Sequence, residues 1–194
     1  MKIAYIDCNS GISGDMPIGA LIDAGVPIDY LRGALGTFVN NDYQISSRIV
    51  NNGGLEAVKF DVEVDDEEFV NPRSFADIRG IIEASQLKDY IKESGVRIFE
   101  QLFKAESIVH GISFDHVHLH ELGAVDCIID IMGILLGLDY LGIDKITASP
   151  VNIGSGTVKT SHGLLPVPVP AVCELLKGVP VYSSGVQMEL TNEK

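Results

Sequence analysis

Four of the chain's five histidines fall between positions 110 and 120, and the fifth is His162. The centre of the group reads His116-Val-His118-Leu-His120-Glu121. In an extended backbone the three imidazoles alternate with Val117 and Leu119 and project from one face. Imidazole with a nearby carboxylate suits Ni(II), Zn(II) and similar ions and needs no thiolate. The competing reading is a half-exposed polar strand face. After Leu122-Gly123 an apolar helix is expected from Ala124 to about Leu141, with Asp126 and Asp130 one turn apart on one face. An acid near that helix start also gains from the helix dipole, which is the structural account of Asp126. Gly133 and Gly137 read as close helix packing rather than as a site.

A second group, Asp7-Cys-Asn-Ser-Gly11-Ile-Ser13-Gly14-Asp15, lies between an expected strand and an expected helix. Glycines let backbone approach an anion closely, and a helix N-terminus offers free N–H donors. No Gly-Lys-Ser/Thr follows, so this is not a P-loop. Asp7 and Asp15 could bind a cation or orient a hydroxyl; alternatively the segment is a tight turn with Asp15 as helix cap. The third group, Gly154-Ser155-Gly-Thr157-Val-Lys159-Thr-Ser-His162-Gly163, offers hydroxyls, one cation and one imidazole on an expected mobile loop.

The elements that must position these groups follow from periodicity. Residues 3–8 read as a short buried strand, and a helix follows from about Met16 to Ala24 with Pro17 in its first turn. Ile28 to Phe38 reads as a second helix. Residues 43–50 and 55–64 alternate Ile, Val and Phe around Asn51-Asn52-Gly53-Gly54, which predicts a hairpin. Asp65-Asp66-Glu67-Glu68 reads as a solvated linker. Ser74 is placed to cap a helix to about Ala84, and a longer helix is expected over Lys88 to Val109, weakened by Gly95. Past 150 the chain is rich in Gly and Pro, with a short helix at 171–177 and an alternating, strand-like Gly185–Leu190. The expected class is α+β: a mixed sheet with a β-hairpin, covered by helices, in a single domain over 1–194 with a possible hairpin subdomain near 43–64.

Composition sets the outer bounds. With 194 residues, 46% of them apolar, the chain can bury a core. Its 14 basic against 27 acidic residues leave a charge of −13, which argues against nucleic-acid and anionic-membrane partners, since both need a basic patch. Cys8, Cys127 and Cys173 lack CxxC spacing and fit a reducing cytosol. Asp7 comes too early for a signal peptide, and the longest apolar run, Ile131 to Leu138, falls short of the roughly 20 residues that span a bilayer. A soluble, cytoplasmic protein is expected.

Three motifs together carry a resemblance: Asp7-x-x-x-Gly11-Ile-Ser-Gly-Asp-Met16, His118-x-His120-Glu-x-Gly-Ala-x-Asp126, and His162-Gly-x-x-Pro166-Val-Pro168. In this order the chain resembles the LarC-type nickel insertion proteins over nearly its whole length. The resemblance implies insertion of nickel into pyridinium-3,5-bisthiocarboxylic acid mononucleotide, at the expense of CTP, to form the nickel-pincer cofactor of lactate racemase. It implies His118, His120, Glu121 and Asp126 at the metal, with His116 outside the motif, and His162 or Asp15 as the base that removes a ring proton. It further implies Asp7, Gly11, Ser13, Gly14, Ser155 and Lys159 around the substrate. Family members often carry a His-rich tract near 65–75; none stands here, so no nickel store is expected there. The family continues past Glu189-Leu-Thr191 into a half that binds CTP with Mg or Mn, whereas this chain ends Asn192-Glu193-Lys194. The expected partners are therefore that C-terminal half, the mononucleotide and lactate racemase. Two other readings are a nickel carrier without catalysis and a metal-dependent phosphohydrolase.

Overall fold

The computed structural model describes residues 1–36, 38, 43–64, 73–119, 125–160 and 162–192. The acidic 65–68 segment, His120, Glu121 and the Gly123-Ala124 approach to the apolar helix lie outside them. In chain order the elements are β1 (Ile3–Ile6), α1 (Asp15–Asp23), α2 (Ile28–Leu35), β2 (Tyr43–Asn52), β3 (Leu55–Val64), α3 (Phe75–Ala84) and α4 (Asp89–His110). A 3-10 turn (Phe114–His116) leads to α5 (Val125–Tyr140), then β4 (Lys145–Ala148), β5 (Val151–Asn152), β6 (Thr157–Thr160), β7 (Gly163–Pro166), α6 (Pro170–Leu175) and β8 (Val181–Tyr182). The class is mixed α+β. Among the described residues, parallel and antiparallel pairing both occur, distributed over four two-stranded sheets: β1–β4 and β5–β8 parallel, β2–β3 and β6–β7 antiparallel.

The chain gathers into two compact units. One comprises Met1–Ser13, Gln101–Phe114 and Ile143–Glu193; the other comprises Gly14–Glu100 and Asp115–Gly142. In the second unit α5 is the core. Val125, Cys127 to Gly133, Leu136 and Gly137 are all buried, so the helix is apolar nearly all round. A Cβ on Gly133 would sit 2.9 Å from Ile18 Cδ1, and one on Gly137 2.8 Å from Leu21 Cδ1. These glycines bring α1 close to α5, as expected. Gly95 has the same purpose on α4, where a Cβ would meet Met132 Sδ at 2.5 Å. The expected hairpin is present, β2 against β3 from Tyr43↔Val64 to Asn52↔Leu55, and Gly19 of α1 lies against the Val58 carbonyl. Ser74 caps α3 in a full capping box with Asp77.

The first unit departs more from expectation. β1 forms, but it is not the buried strand expected, since Ile3 and Tyr5 are exposed. Of the expected mobile loop at 154–163, residues 157–160 form β6, which pairs with β7 in a hairpin. Gly185–Leu190 forms no strand beyond a single bridge, Gly154↔Glu189, and Thr191 bridges Ile12. Among the described residues no helix is long and apolar enough to cross a membrane.

Candidate functional site

In the second unit burial alternates over 116–119, although His116 closes a 3-10 turn rather than lying in an extended segment. Val117 and Leu119 are buried, while His116 and His118 are exposed. Leu119 is fixed by an antiparallel bridge to Arg73, its N–H donating to the Arg73 carbonyl at 3.3 Å. That pairing brings the start of α3 beside His118, close enough for the imidazole to act electrostatically on Asp77. Asp77 accepts from the Ser74 hydroxyl (2.6 Å) and the Ser74 N–H (2.9 Å). These bonds, with the charges of Arg73 and His118, hold its carboxyl below the usual carboxylate range. Burial lowers the Arg73 guanidinium, with Asp77 opposing that shift. Sequence reasoning missed both Arg73 and Asp77. The Ser-x-x-Asp spacing was visible, but nothing local shows that residue 73 pairs with residue 119.

Asp126 is half-buried in the first turn of α5, where an oxygen of its carboxylate accepts its neighbour Cys127's N–H at 2.8 Å. Asp130, one turn on, is 6% exposed. It explains Gly14, whose φ of −56° any residue adopts, but on which a Cβ would lie 2.3 Å from Asp130 Oδ2. Gly14 is thus the space that the Asp130 carboxylate occupies. Gly14 is also the N-cap of α1, without a side-chain cap bond, so Asp15 is a first-turn acid rather than the cap.

In the first unit, Gly11 has φ +85°, and a Cβ there would come within 1.8 Å of the Leu190 carbonyl oxygen. The Gly11 N–H donates to the Cys8 carbonyl (3.0 Å) and the Ile12 N–H to the Leu190 carbonyl (2.9 Å). Two of the backbone donors that could have cradled a phosphate are therefore committed to the protein. Asp7 is exposed, with Oδ1 accepting the Asn9 N–H. Buried Asn152 fastens the same turn, its Nδ2 donating to the Asn9 carbonyl (2.8 Å) and to Ser184 Oγ (3.0 Å). Burial pushes the Cys8 thiol up, reinforced by the Asp7 charge against an opposing Ser149 hydrogen bond, so it stays protonated and offers no thiolate.

The third motif separates into two parts. Ser155 is structural: its hydroxyl donates to the Val186 carbonyl (2.8 Å) and accepts from Gln187 Nε2 (2.9 Å). Lys159 is exposed on β6, and His162 occupies the β6–β7 turn, its N–H donating to Thr160 Oγ1 at 3.1 Å. The His162 ring lies 5.1 Å, centroid to centroid, from that of His110 at the end of α4. Among the described residues, no three or more His, Cys, Asp or Glu side chains are grouped so as to hold a metal ion.

Exposed His118 beside the Arg73–Leu119 bridge, buried Asp130 on an apolar helix and a glycine turn between β1 and α1 are the features of this mixed α+β chain that carry candidate chemistry. Residues 4–193 match the family described as Nickel insertion protein, and the chain belongs to that family. It is 45% identical over 190 residues to a pyridinium-3,5-bisthiocarboxylic acid mononucleotide nickel insertion protein of Desulfitobacterium hafniense, covering 98% of this chain and 47% of the relative. It is 44% identical over 189 residues to a protein of the same name from a Nocardioides species, covering 97% of this chain and 48% of that one. The chain thus spans about half the length of the curated relatives it matches. No solved structure matches it.

Proposed function

We propose that this chain acts as the N-terminal half of a nickel cyclometallase, inserting Ni(II) into pyridinium-3,5-bisthiocarboxylic acid mononucleotide. The observation that carries this reading is the family match across residues 4–193, together with relatives named for that substrate. The proposed nickel ligands are His118, His120 and Glu121, with Asp126 as a further ligand or an orienting group. A nitrogen and oxygen set suits a cargo ion that must leave for the substrate's sulfurs, since thiolates would compete for it. The carbon–nickel bond forms as the ring C–H gives its proton to a base, for which His162 and Asp15 are the candidates. Asp7, Ser13, Gly14 and Lys159 are the proposed substrate contacts. The engaged N–H groups of Gly11 and Ile12, and the engaged hydroxyl of Ser155, favour a structural role for Gly11 and Ser155.

On this reading residues 1–194 form one N-terminal functional domain in the cytoplasm, and the nickel product serves lactate racemase. CTP, with Mg or Mn, binds the second half, because a triphosphate needs cations to offset its charge and this chain carries a net −13 with no Walker-type lysine. The test is formation of the nickel product from mononucleotide, Ni(II) and CTP, by this chain with and without a polypeptide corresponding to the relatives' second half. Product only with both halves is expected. Turnover by the 194 residues alone, or none with both, would contradict the reading.

A further inference from the structure

The His110–His162 pair lies outside the 118–126 motif, and its ring separation matches that of two imidazoles sharing a metal ion. A metal–nitrogen bond of about 2.1 Å places an imidazole centroid roughly 3.2 Å from the ion. Two such rings then stand about 4.6 Å apart at a right angle and about 5.2 Å apart at the tetrahedral angle. The observed separation is 5.1 Å, with the ring planes tilted by 56°.

The surroundings supply what a metal-binding histidine needs. Nε2 of His110 lies 3.2 Å from Oε2 of Glu106, one helical turn back, with the two side chains 36% and 15% exposed. A carboxylate against one ring nitrogen fixes the tautomer and orientation, leaving Nδ1 as the lone-pair donor. His110 is the last residue of α4, where the negative end of the helix dipole favours a cation. The backbone of His162 is held in the turn by its N–H donating to the Thr160 hydroxyl, and Gly163, with φ of +99°, completes the turn.

We infer that His110 and His162, oriented through Glu106, form a second divalent-metal site in which two imidazoles hold the ion and the remaining positions stay open to water or an incoming ligand. Two nitrogen donors suit Ni(II), Co(II) and Zn(II), and so few protein ligands make an exchangeable site, as a cargo ion requires. Only the identification of the cargo as nickel rests on the proposed function; the site itself does not. It gives His162 a metal-binding role and leaves Asp15 as the candidate base.

The experiment is calorimetric titration of the full chain with Ni(II) alone, alongside Co(II) broadening of the histidine ring resonances. Wild-type protein should show broadening of both His110 and His162. His110→Ala and His162→Ala should each weaken this class of binding about 10-fold or more, and Glu106→Gln about 10-fold. His162→Gln, on an exposed turn, guards against misfolding of the alanine variant, and circular dichroism checks both. Unchanged binding in folded His110→Ala and His162→Gln variants would overturn the proposal. If those variants bind normally while His118→Ala/His120→Ala does not, this site fails and the proposed 118–126 site stands; the opposite pattern fails the latter and leaves this one.

Discussion

In the first unit the Asn9–Gly11 turn is fastened by hydrogen bonds from distant chain, whereas in the second unit Gly14 and the glycines of α5 are fixed by shape. Asn152, Tyr182 and Leu190 each bond the first turn. Gly14 makes room for a carboxylate, and Gly133 and Gly137 make room for Ile18 and Leu21. One glycine-rich motif, read along the sequence as a single candidate cradle, therefore contains two glycines present for unrelated reasons. Gly11 supplies a left-handed backbone and approach to another backbone; Gly14 supplies absent volume. The difference matters for function because a turn whose N–H groups are already bonded has less to offer an anion.

Substitutions can set these two modes of fixing apart. The largest effect is expected from Gly11→Ala, which meets a rigid carbonyl and requires a positive φ. It should cost at least about 3 kcal/mol, measured by urea unfolding. Asn152→Ala should cost about 2–3 kcal/mol, because it removes a donor to the Asn9 carbonyl and strands the N–H groups of Gly154 and Ser184 that meet its side-chain oxygen. Gly133→Ala should change stability by only about 1 kcal/mol, since the flexible end of Ile18 can move and alanine favours the helix. A Gly133→Ala loss as large as that of Gly11→Ala would erase the distinction.

A fourth expectation concerns pH. The Asp77 carboxyl is held below its ordinary value, so its contribution is present above the unfolded value and is lost as pH falls through the folded one. Asp77→Asn should therefore flatten the loss of Tm between about pH 5 and pH 3 while lowering Tm modestly at pH 7. An unaltered acid slope would show that the capping box carries no such linkage.

What could be read from the sequence was periodic or local. Val117 and Leu119 turn inward as alternation requires, the 43–64 hairpin forms around its Asn-Gly turn, and Gly133 and Gly137 mark close packing. What could not be read was contact between distant residues. β4 is a four-residue strand whose partner is β1 at the other end of the chain. The pairing of Arg73 with Leu119 leaves no local signal, and neither does the approach of His162 to His110. Gly185–Leu190 shows the opposite failure: its alternation is real, yet hydrogen bonds at Ile153 and Ser155 engage it as an irregular segment. Histidines adjacent in sequence were the easiest to notice, and histidines adjacent in space required the fold.

The central claim is that nickel is held through the 118–121 motif, and titration of Ni(II) into the His118→Ala/His120→Ala variant tests it most directly. His118 is exposed, and the packing of its segment rests on buried Val117 and Leu119, so the fold should survive its substitution. The account predicts loss of about one equivalent of bound nickel relative to wild type, with a weakening of at least about 10-fold at that site. Unchanged stoichiometry and affinity in a folded variant would contradict it.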